Sequence, residues 1–244
     1  MKAMILAAGF GTRLRPLTDT VPKPLLPVGG IPLIVWNLLL MRRHGITDVL
    51  INVHHLGTLI EKALGDGSQY GMQVSYSRER DILGTGGGLK QGESYFAGEP
   101  FVVVNGDTLF ELDLDDLIER HHASASIATM VIRQDPEAAR WGEILVDDRG
   151  FVRSIAGRPL PGGGARGGHM FAGIHVMHPR LLVHVEAGKP SSIIDAYVRA
   201  LERGERVSSH RLSGYWSDVG TPERYAQAQR DAESGAIRLE DRKR

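Results

Sequence analysis

Apolar runs, each about the length of one buried strand, alternate with helical patterns through the first half of the chain. The strand candidates are residues 3–8, 48–53, 73–77 and 101–107, and the helix candidates are 32–44, 56–65, a segment after the glycines at 86–88, and 113–122. Such alternation is typical of parallel strands joined by right-handed crossovers, with helices over both faces of the sheet. The pattern therefore predicts an α/β fold built on a mostly parallel sheet.

After about residue 125 the pattern changes to strand-like runs separated by short polar or Gly-rich links. These runs are residues 126–132, 141–147, 150–157 and 170–177, and a further strand-like run covers 207–216. They favour a mixed or antiparallel extension of the sheet. We expect a flexible Gly-rich loop at 161–168, helices near 192–203 and 222–233, and a solvated polar tail after them.

Composition excludes several classes of protein. The chain has 244 residues, which is enough for one large domain, and Lys+Arg and Asp+Glu both number 29. Zero net charge gives no support for nucleic-acid binding by bulk charge. Cysteine is absent, which rules out disulfides, thiolate metal sites and cysteine catalysis. No apolar stretch is long enough to span a bilayer or to form a signal peptide, so we expect a cytoplasmic protein without nucleic-acid or membrane partners.

The first strand ends in the loop GFGTRLRP, which begins at Gly9. A dinucleotide fingerprint would need a third glycine where Leu14 stands, and the Walker pattern does not occur, so a nicotinamide-dependent enzyme is disfavoured. A glycine turn offers backbone N–H groups, and with the following Arg13 and Arg15 it suits the oxygens of a polyphosphate. Lys23, between two prolines, lies on a stiffened segment that can face the same phosphates.

Two aspartates lie where strand-like runs end. Asp107 follows the run FVVVNG, and the carboxyl edge of an open α/β sheet is where ligands bind. Asp218 lies near the end of the chain, also after a strand-like run. Mg²⁺ takes few protein oxygens and fills its shell with phosphates and water, so two carboxylates from distant segments suit it. We predict that Asp107 and Asp218 hold Mg²⁺.

A second glycine cluster, LGTGGG, opens a predicted helix, and bare glycines allow a base or ribose to approach the backbone closely. Asn105, two residues before Asp107, is placed to hydrogen-bond a sugar hydroxyl. The histidine pairs 54–55 and 121–122 are adjacent, so their side chains point apart, and neither pair has the spacing of a helical metal site. We expect surface or capping roles for these histidines.

Together these motifs resemble the sugar-nucleotide pyrophosphorylases, also called sugar-1-phosphate nucleotidyltransferases. The resemblance rests on GFGTRLRPLT followed by PKP, and it continues through ILGTGGGLK, VNGDTLF and GYWSDVGTPERY over nearly the whole chain. It implies a Rossmann-like three-layer sandwich with a mixed, mostly parallel central sheet and no C-terminal β-helix. It also implies a reaction in which an NTP and a sugar 1-phosphate give an NDP-sugar and pyrophosphate with Mg²⁺. Members can be monomers or homodimers.

The resemblance also implies how the residues divide their roles within a single domain. Residues 1–124 would bind the nucleotide, 125–233 would bind the sugar phosphate, and 234–244 would be a polar tail. Arg13 and Lys23 would be catalytic and would also contact the nucleotide. The other nucleotide-binding residues would be Ala7, Ala8, Gly9, Gly11, Thr12, Gly84, Thr85 and Gly86, those for the sugar phosphate Asn105, Gly142 and Arg158, and the metal ligands Asp107 and Asp218.

One departure from the family pattern concerns the sugar. Many members carry Glu-Lys-Pro where this chain has Gly157-Arg158-Pro159. Arg158 keeps a cation for the sugar phosphate, but the glutamate contact to the sugar is missing.

The substrate pair remains open between related types. The chain looks closest to short bacterial enzymes of the N-acetylmuramate-1-phosphate uridylyltransferase type, while mannose- and heptose-1-phosphate guanylyltransferases share nearly all the motifs. A choline-phosphate cytidylyltransferase type is a further alternative. A hypothesis of another class is a non-catalytic regulator that binds an NDP-sugar. The presence of all four expected charged residues, Arg13, Lys23, Asp107 and Asp218, argues against it.

Overall fold

The computed structural model of the protein describes residues 1–159 and 166–237. Its strands are β1 (Lys2–Leu6), β2 (Pro27–Val28), β3 (Ile31–Pro32), β4 (Asp48–Val53), β5 (Gln73–Arg78), β6 (Phe101–Asn105), β7 (Thr108–Phe110), β8 (Ala128–Gln134), β9 (Ile144–Val146), β10 (Val152–Ile155), β11 (Arg158–Pro159), β12 (Arg166–Met177), β13 (Val207–Arg211) and β14 (Trp216–Asp218). Its α-helices are α1 (Leu33–Arg43), α2 (Gly57–Leu64), α3 (Gly84–Gln91), α4 (Leu114–Ser124), α5 (Ala138–Trp141), α6 (Ile193–Glu202) and α7 (Pro222–Glu233).

The chain divides into two compact units, and neither is continuous in sequence. The first unit contains Met1–Ile82, Val104–Leu112 and the chain from Gly214 onward, and the second contains Leu83–Val103 and Asp113–Ser213. The predicted division into a nucleotide-binding and a sugar-phosphate-binding half concerns ligands, and it stays a prediction.

The first unit is built on parallel pairing. β4 pairs with β1 and with β5 in parallel, so that Val49 lies opposite both Ala3 and Val74. Side chains such as Met4 and Ile51 are fully buried, as expected for strands covered on both faces. Because the strands are parallel, the loop after β1 emerges at the carboxyl ends of the strands, where α/β folds bind ligands.

The first unit also contains two small antiparallel ribbons and a separate apolar cluster. β7 pairs with β14, and β2 pairs with β3. The cluster lies among these ribbons, α1 and α7, and its buried members are Leu14, Leu26, Val28, Leu33, Trp36, Leu109, Val219, Ala228 and Ile237. Ile237 falls within the predicted polar tail, so the buried part of the chain reaches that residue, while 238–244 lie outside the described residues.

The second unit is mixed. β8 pairs antiparallel with β12 and parallel with β13, and β9 pairs antiparallel with β12 and β10. The predicted flexible loop begins outside the described residues at 161–165, and its last three residues start β12. The mixed extension expected after residue 125 is therefore present.

The predicted fold class, a mixed and mostly parallel central sheet with helices, is confirmed, and the described ranges contain no β-helix. The predicted single strand at 207–216 is wrong, because β13 and β14 are separate strands that pair with different partners. Among the helices of the described ranges, none is long and apolar enough to cross a membrane.

The predicted start of α3 after the glycines at 86–88 is also wrong, because the helix begins at Gly84 and includes them. The prediction that the cluster LGTGGG opens a helix is confirmed. Glycine disfavours a helix interior by about 1 kcal/mol, but here close packing requires it. A Cβ added to Gly86 would lie 2.7 Å from Ser191 Oγ, and one added to Gly87 would lie 2.6 Å from the Lys189 carbonyl oxygen. Tertiary packing therefore outweighs local propensity at this helix start.

Candidate active site

The glycine loop turns sharply after β1 and then forms a 3₁₀ turn over Thr12–Leu14. Gly11 has φ +65°, a left-handed conformation that favours glycine. A Cβ added there would lie 3.0 Å from Thr18 Cγ2 and 3.2 Å from Lys23 Cβ. The Thr18 hydroxyl donates to the Gly11 carbonyl oxygen at 2.9 Å. Gly11 therefore brings the loop and the segment carrying Lys23 into contact.

A buried polar pair, which sequence reasoning missed, holds the start of this loop. The backbone N–H of Ala7 donates to Asn52 Oδ1 at 2.8 Å, and Asn52 Nδ2 donates to Glu79 Oε1 at 2.6 Å. Asn52 is 2% exposed and Glu79 is 5% exposed. The available signal was a polar residue near the end of the apolar run DVLINV. The pair fixes the backbone at Ala7, one of the predicted nucleotide-binding residues.

Lys23 lies between the two predicted metal ligands. Its Nζ is 2.5 Å from Asp107 Oδ2 and 3.9 Å from Asp218 Oδ1. The lysine side chain is 8% exposed, against 35% for Asp107 and 16% for Asp218. Residues that are far apart in sequence thus form one charged cluster within the first unit.

The pairing of β7 with β14 brings the two aspartates together. Asp218 lies opposite Thr108, and the Val219 N–H donates to the Asp107 carbonyl oxygen at 3.1 Å. Gly106 fixes the other side of the turn, because its N–H donates to the Leu6 carbonyl oxygen at 2.9 Å. A Cβ on Gly106 would lie 2.9 Å from that same oxygen, so the turn has no room for a side chain.

The environment of Asp218 favours cations. Burial is the main cause that raises the pKa of Asp218, and the negative charge of Asp107 raises it further. The cations Lys23, Arg13 and Arg224 act in the opposite direction. Arg224 Nη1 lies 3.1 Å from Asp218 Oδ2, a contact that sequence reasoning did not predict.

The two carboxylates suit a divalent cation. Asp218 Oδ1 is buried and has no hydrogen-bond partner among the described residues, and carboxylate oxygens are preferred ligands of Mg²⁺. This oxygen and the adjacent Asp107 can therefore accept a hard cation.

Arg13 lies beside the same carboxylate. A Cβ added to Gly220 would lie 2.7 Å from Asp218 Oδ1 and 2.8 Å from Arg13 Nη2, so the guanidinium and the carboxylate both border the space that this glycine leaves open. Of the predicted site residues, Gly11, Arg13, Lys23, Asp107 and Asp218 are therefore assembled together. Asn105 is half-buried at the end of β6, two residues from Asp107.

The other predicted residues of the first unit lie at the end of β1 and in the glycine loop; they are Ala7, Ala8, Gly9 and Thr12. The predicted site residues of the second unit are Gly84, Thr85, Gly86, Gly142 and Arg158. Gly84 has φ +66°, and a Cβ there would lie 2.6 Å from the Ser191 carbonyl oxygen, while the Thr85 hydroxyl accepts from the Ile193 N–H at 2.9 Å. Gly142 has φ +85°. Arg158 Nη1 lies 3.2 Å from Asp195 Oδ1, and both side chains are well exposed. The ligand roles of these residues stay predictions.

The expected surface or capping role is wrong for His121. Its ring is buried, with Nδ1 3.1 Å from Thr129 Oγ1, which in turn lies 2.7 Å from Ser208 Oγ. Burial lowers the pKa of His121 to about 4, with a smaller contribution from the charge of His122. The hydroxyl partners lie on β8 and β13, which explains how a histidine can be buried there.

Three findings come from comparing the sequence with known proteins. A model of the nucleotidyl transferase family matches residues 2–235. A protein of Neisseria meningitidis serogroup B, N-acetylmuramate alpha-1-phosphate uridylyltransferase, is 40% identical over 235 residues, which cover 94% of this chain and 97% of that protein. The mannose-1-phosphate guanyltransferase of Pichia angusta is 34% identical over 228 residues, which cover 91% of this chain and 61% of that protein.

A similar solved structure comes from Bacillus anthracis, where the protein is assigned as a glucose-1-phosphate thymidylyltransferase and is in complex with a sucrose. It superposes with a TM-score of 0.82 at 26% identity, and the match covers 95% of each chain.

Proposed function

The chain belongs to the nucleotidyl transferase family as a sugar-1-phosphate nucleotidyltransferase, and from that premise we propose that it transfers uridylyl from UTP to N-acetylmuramate α-1-phosphate. The choice of substrates rests on the neisserial relative, which the chain matches over 97% of that protein's length. The guanyltransferase relative is matched over 61% of its length.

The observation that carries the proposed reaction is the cluster of Lys23, Asp107 and Asp218. An oxygen of the sugar phosphate forms a bond to the α-phosphorus of UTP, while the bond from that phosphorus to the α–β bridging oxygen breaks and pyrophosphate leaves. A phosphate monoester has a second pKa of about 6, so the attacking oxygen is anionic near neutral pH without a general base. The protein has to align two anions and neutralise their charge.

The residues of the first unit supply that charge. Arg13 presents a forked guanidinium beside the glycine loop, and Lys23 presents an ammonium nearby, so both are proposed to bind triphosphate oxygens. Both cations lie near the Asp218 carboxylate. Its negative charge attracts them and holds them at the site before the substrates bind. Arg13 and Lys23 are thus the proposed catalytic residues.

Asp107 and Asp218 are the proposed holders of Mg²⁺. Proteins of this family generally use a divalent metal, and when bound it neutralises phosphate charge and orients the transferred group. The buried Asp218 Oδ1, which has no hydrogen-bond partner in the described part of the chain, supports this assignment. So does Asp107, whose carboxylate lies near the same Lys23 ammonium as that of Asp218. Mg²⁺ is proposed because it accepts carboxylate, phosphate and water oxygens in one shell.

The other site assignments follow the family resemblance. The nucleotide is proposed to contact the backbone of Ala7, Ala8, Gly9, Gly11 and Thr12 and the turn of Gly84, Thr85 and Gly86. The sugar phosphate is proposed to contact Asn105, Gly142 and Arg158.

The proposed function is tested by measuring pyrophosphate release for each of four NTPs with several sugar 1-phosphates, with and without Mg²⁺. UTP with N-acetylmuramate α-1-phosphate and Mg²⁺ is expected to give the highest rate, with both substrates required. The highest rate with GTP and mannose 1-phosphate would instead identify a guanylyltransferase. No release with any pair would refute the catalytic assignment.

A further inference from the structure

Lys23 lies on a segment that has little regular structure of its own. It starts a 3₁₀ turn over Lys23–Leu25, and the chain then enters the two-residue strand β2. The β2–β3 ribbon contains the pairs Pro27–Pro32 and Val28–Ile31. So short a ribbon is not stable alone, so its position must come from other contacts.

The side chain of Gln229, on α7, supplies such contacts. Its Nε2 donates to the Pro27 carbonyl oxygen at 2.8 Å, and its Oε1 accepts from the Gly29 N–H at 3.0 Å. One amide thus satisfies a backbone acceptor and a backbone donor, as a neighbouring strand would. The Tyr225 hydroxyl also donates to the Pro27 oxygen, at 2.8 Å.

Apolar packing also joins α7 to this segment. Val28 and Ala228 are both fully buried in the same cluster. A Cβ added to Gly29 would lie 2.9 Å from the Ala232 Cβ, so the backbone at Gly29 lies directly on the helix. Close-packed contacts of this kind transmit a small displacement instead of absorbing it.

Helix α7 also contacts Asp218, one of the two carboxylates near the Lys23 ammonium. Arg224, in the first turn of α7, lies 3.1 Å from Asp218 Oδ2. One helix therefore contacts both the segment that carries Lys23 and the aspartate whose Oδ1 lies 3.9 Å from the Lys23 ammonium.

We propose that Gln229 is a positioning residue that acts through Lys23, by holding the 22–29 segment on α7 so that the ammonium faces the triphosphate. This inference rests on the proposed function of Lys23 as a phosphate-binding residue. Gln229 contacts no reacting atom in this account.

The test is a double-mutant cycle on the full chain, with Gln229→Ala and Lys23→Met made singly and together. The readouts are the dissociation constant of each NTP with Mg²⁺ but without sugar phosphate, measured by calorimetry, and the steady-state kcat and KM. The matched control is Gln227→Ala, because Gln227 is on the same helix and bonds to Asp231 and Arg230 within α7. Gln229→Glu keeps the oxygen that accepts from Gly29 and removes the donor to Pro27.

Gln229→Ala is expected to weaken binding of the preferred NTP about tenfold, a value typical of one or two lost hydrogen bonds. Gln227→Ala should change it less than about twofold, and Gln229→Glu should give an intermediate loss. In the Lys23→Met background, Gln229→Ala should have almost no further effect. A tenfold loss in both backgrounds, or a lowered unfolding temperature with unchanged NTP binding, would overturn the proposal.

If Gln229→Ala does not fold, Tyr225→Phe replaces it in the cycle. This change removes the hydroxyl that donates to the Pro27 oxygen and accepts from Gln229 Nε2, while Gln229 keeps its own bonds to Pro27 and Gly29, so it should give about a threefold loss of the same non-additive kind. Wild-type protein that binds none of the four NTPs would contradict the proposed function as well. Wild-type protein that binds an NTP but shows an additive cycle would contradict the positioning role alone.

Discussion

Replacing Lys23 with methionine removes the cation between Asp107 and Asp218 while keeping the apolar part of the side chain. The Lys23 side chain is 8% exposed and that of Asp218 is 16% exposed, so solvent screens the attraction between them only weakly. Asp107 is 35% exposed, so solvent screens its attraction to Lys23 and its contribution to stability is small. Two unit charges about 4 Å apart interact by about 4 kcal/mol at an effective dielectric constant of about 20. Removing one partner of a buried pair costs about 3–5 kcal/mol.

We therefore expect Lys23→Met to lose roughly 3 kcal/mol of stability, which for a chain of this size lowers the unfolding midpoint by roughly 6–12 °C. Mg²⁺ without nucleotide should restore much of that loss, because a divalent cation replaces the ammonium between the carboxylates. In the wild-type protein, where Lys23 already neutralises them, Mg²⁺ should have a much smaller effect.

The assay is thermal unfolding of wild-type, Lys23→Met and Lys23→Arg proteins, each with and without Mg²⁺. Lys23→Arg is the control, because it keeps the charge and should show a smaller loss than Lys23→Met. An unfolding midpoint of the Lys23→Met protein equal to that of the wild type would refute the expected loss of stability. An equal Mg²⁺ response in the wild-type and Lys23→Met proteins would refute the shared cation position.

Three further predictions concern single residues. Asp218→Asn should lower turnover at least about 100-fold in the pyrophosphate assay while the protein remains folded, and near-normal turnover would contradict its metal role. Burial lowers the pKa of His121 from 6.5 in the unfolded chain to about 4 in the folded protein, so the unfolded chain binds more protons between these pH values. The folded protein therefore loses stability as the pH falls from 6.5 to about 4, by up to roughly 3 kcal/mol. Urea unfolding at several pH values should therefore show a smaller pH dependence for His121→Gln, and an unchanged slope would contradict this. Gly106→Ala should cost about 1–3 kcal/mol, because its Cβ meets the Leu6 carbonyl oxygen. Gly9→Ala should leave the unfolding midpoint nearly unchanged, because no neighbouring atom of the described ranges lies within 4 Å of the added Cβ.

Much of the fold could be predicted because its strands are continuous apolar runs that can be identified without knowing their partners. The runs at 48–53 and 73–77 are β4 and β5 within one residue. The expectation that Asp107 and Asp218 lie together needed only the rule that ligands bind at strand ends, and the structure brings both carboxylates to Lys23.

The missed features all depend on which side chains meet across the fold. The Asn52–Glu79 pair requires the register of β4 against β5, and the burial of His121 requires hydroxyls from β8 and β13. The early start of α3 likewise depends on packing against residues 189–192, which no local pattern contains.

The most direct test of the central claim follows the oxygens of the sugar phosphate. N-acetylmuramate α-1-phosphate labelled with ¹⁸O in its phosphate group is incubated with UTP, Mg²⁺ and the protein, and the products are examined by mass spectrometry. We predict that all of the label stays in the UDP-sugar and that the pyrophosphate is unlabelled, because the sugar phosphate attacks the α-phosphorus. Label in pyrophosphate or in free phosphate, or no UDP-sugar at all, would contradict the account.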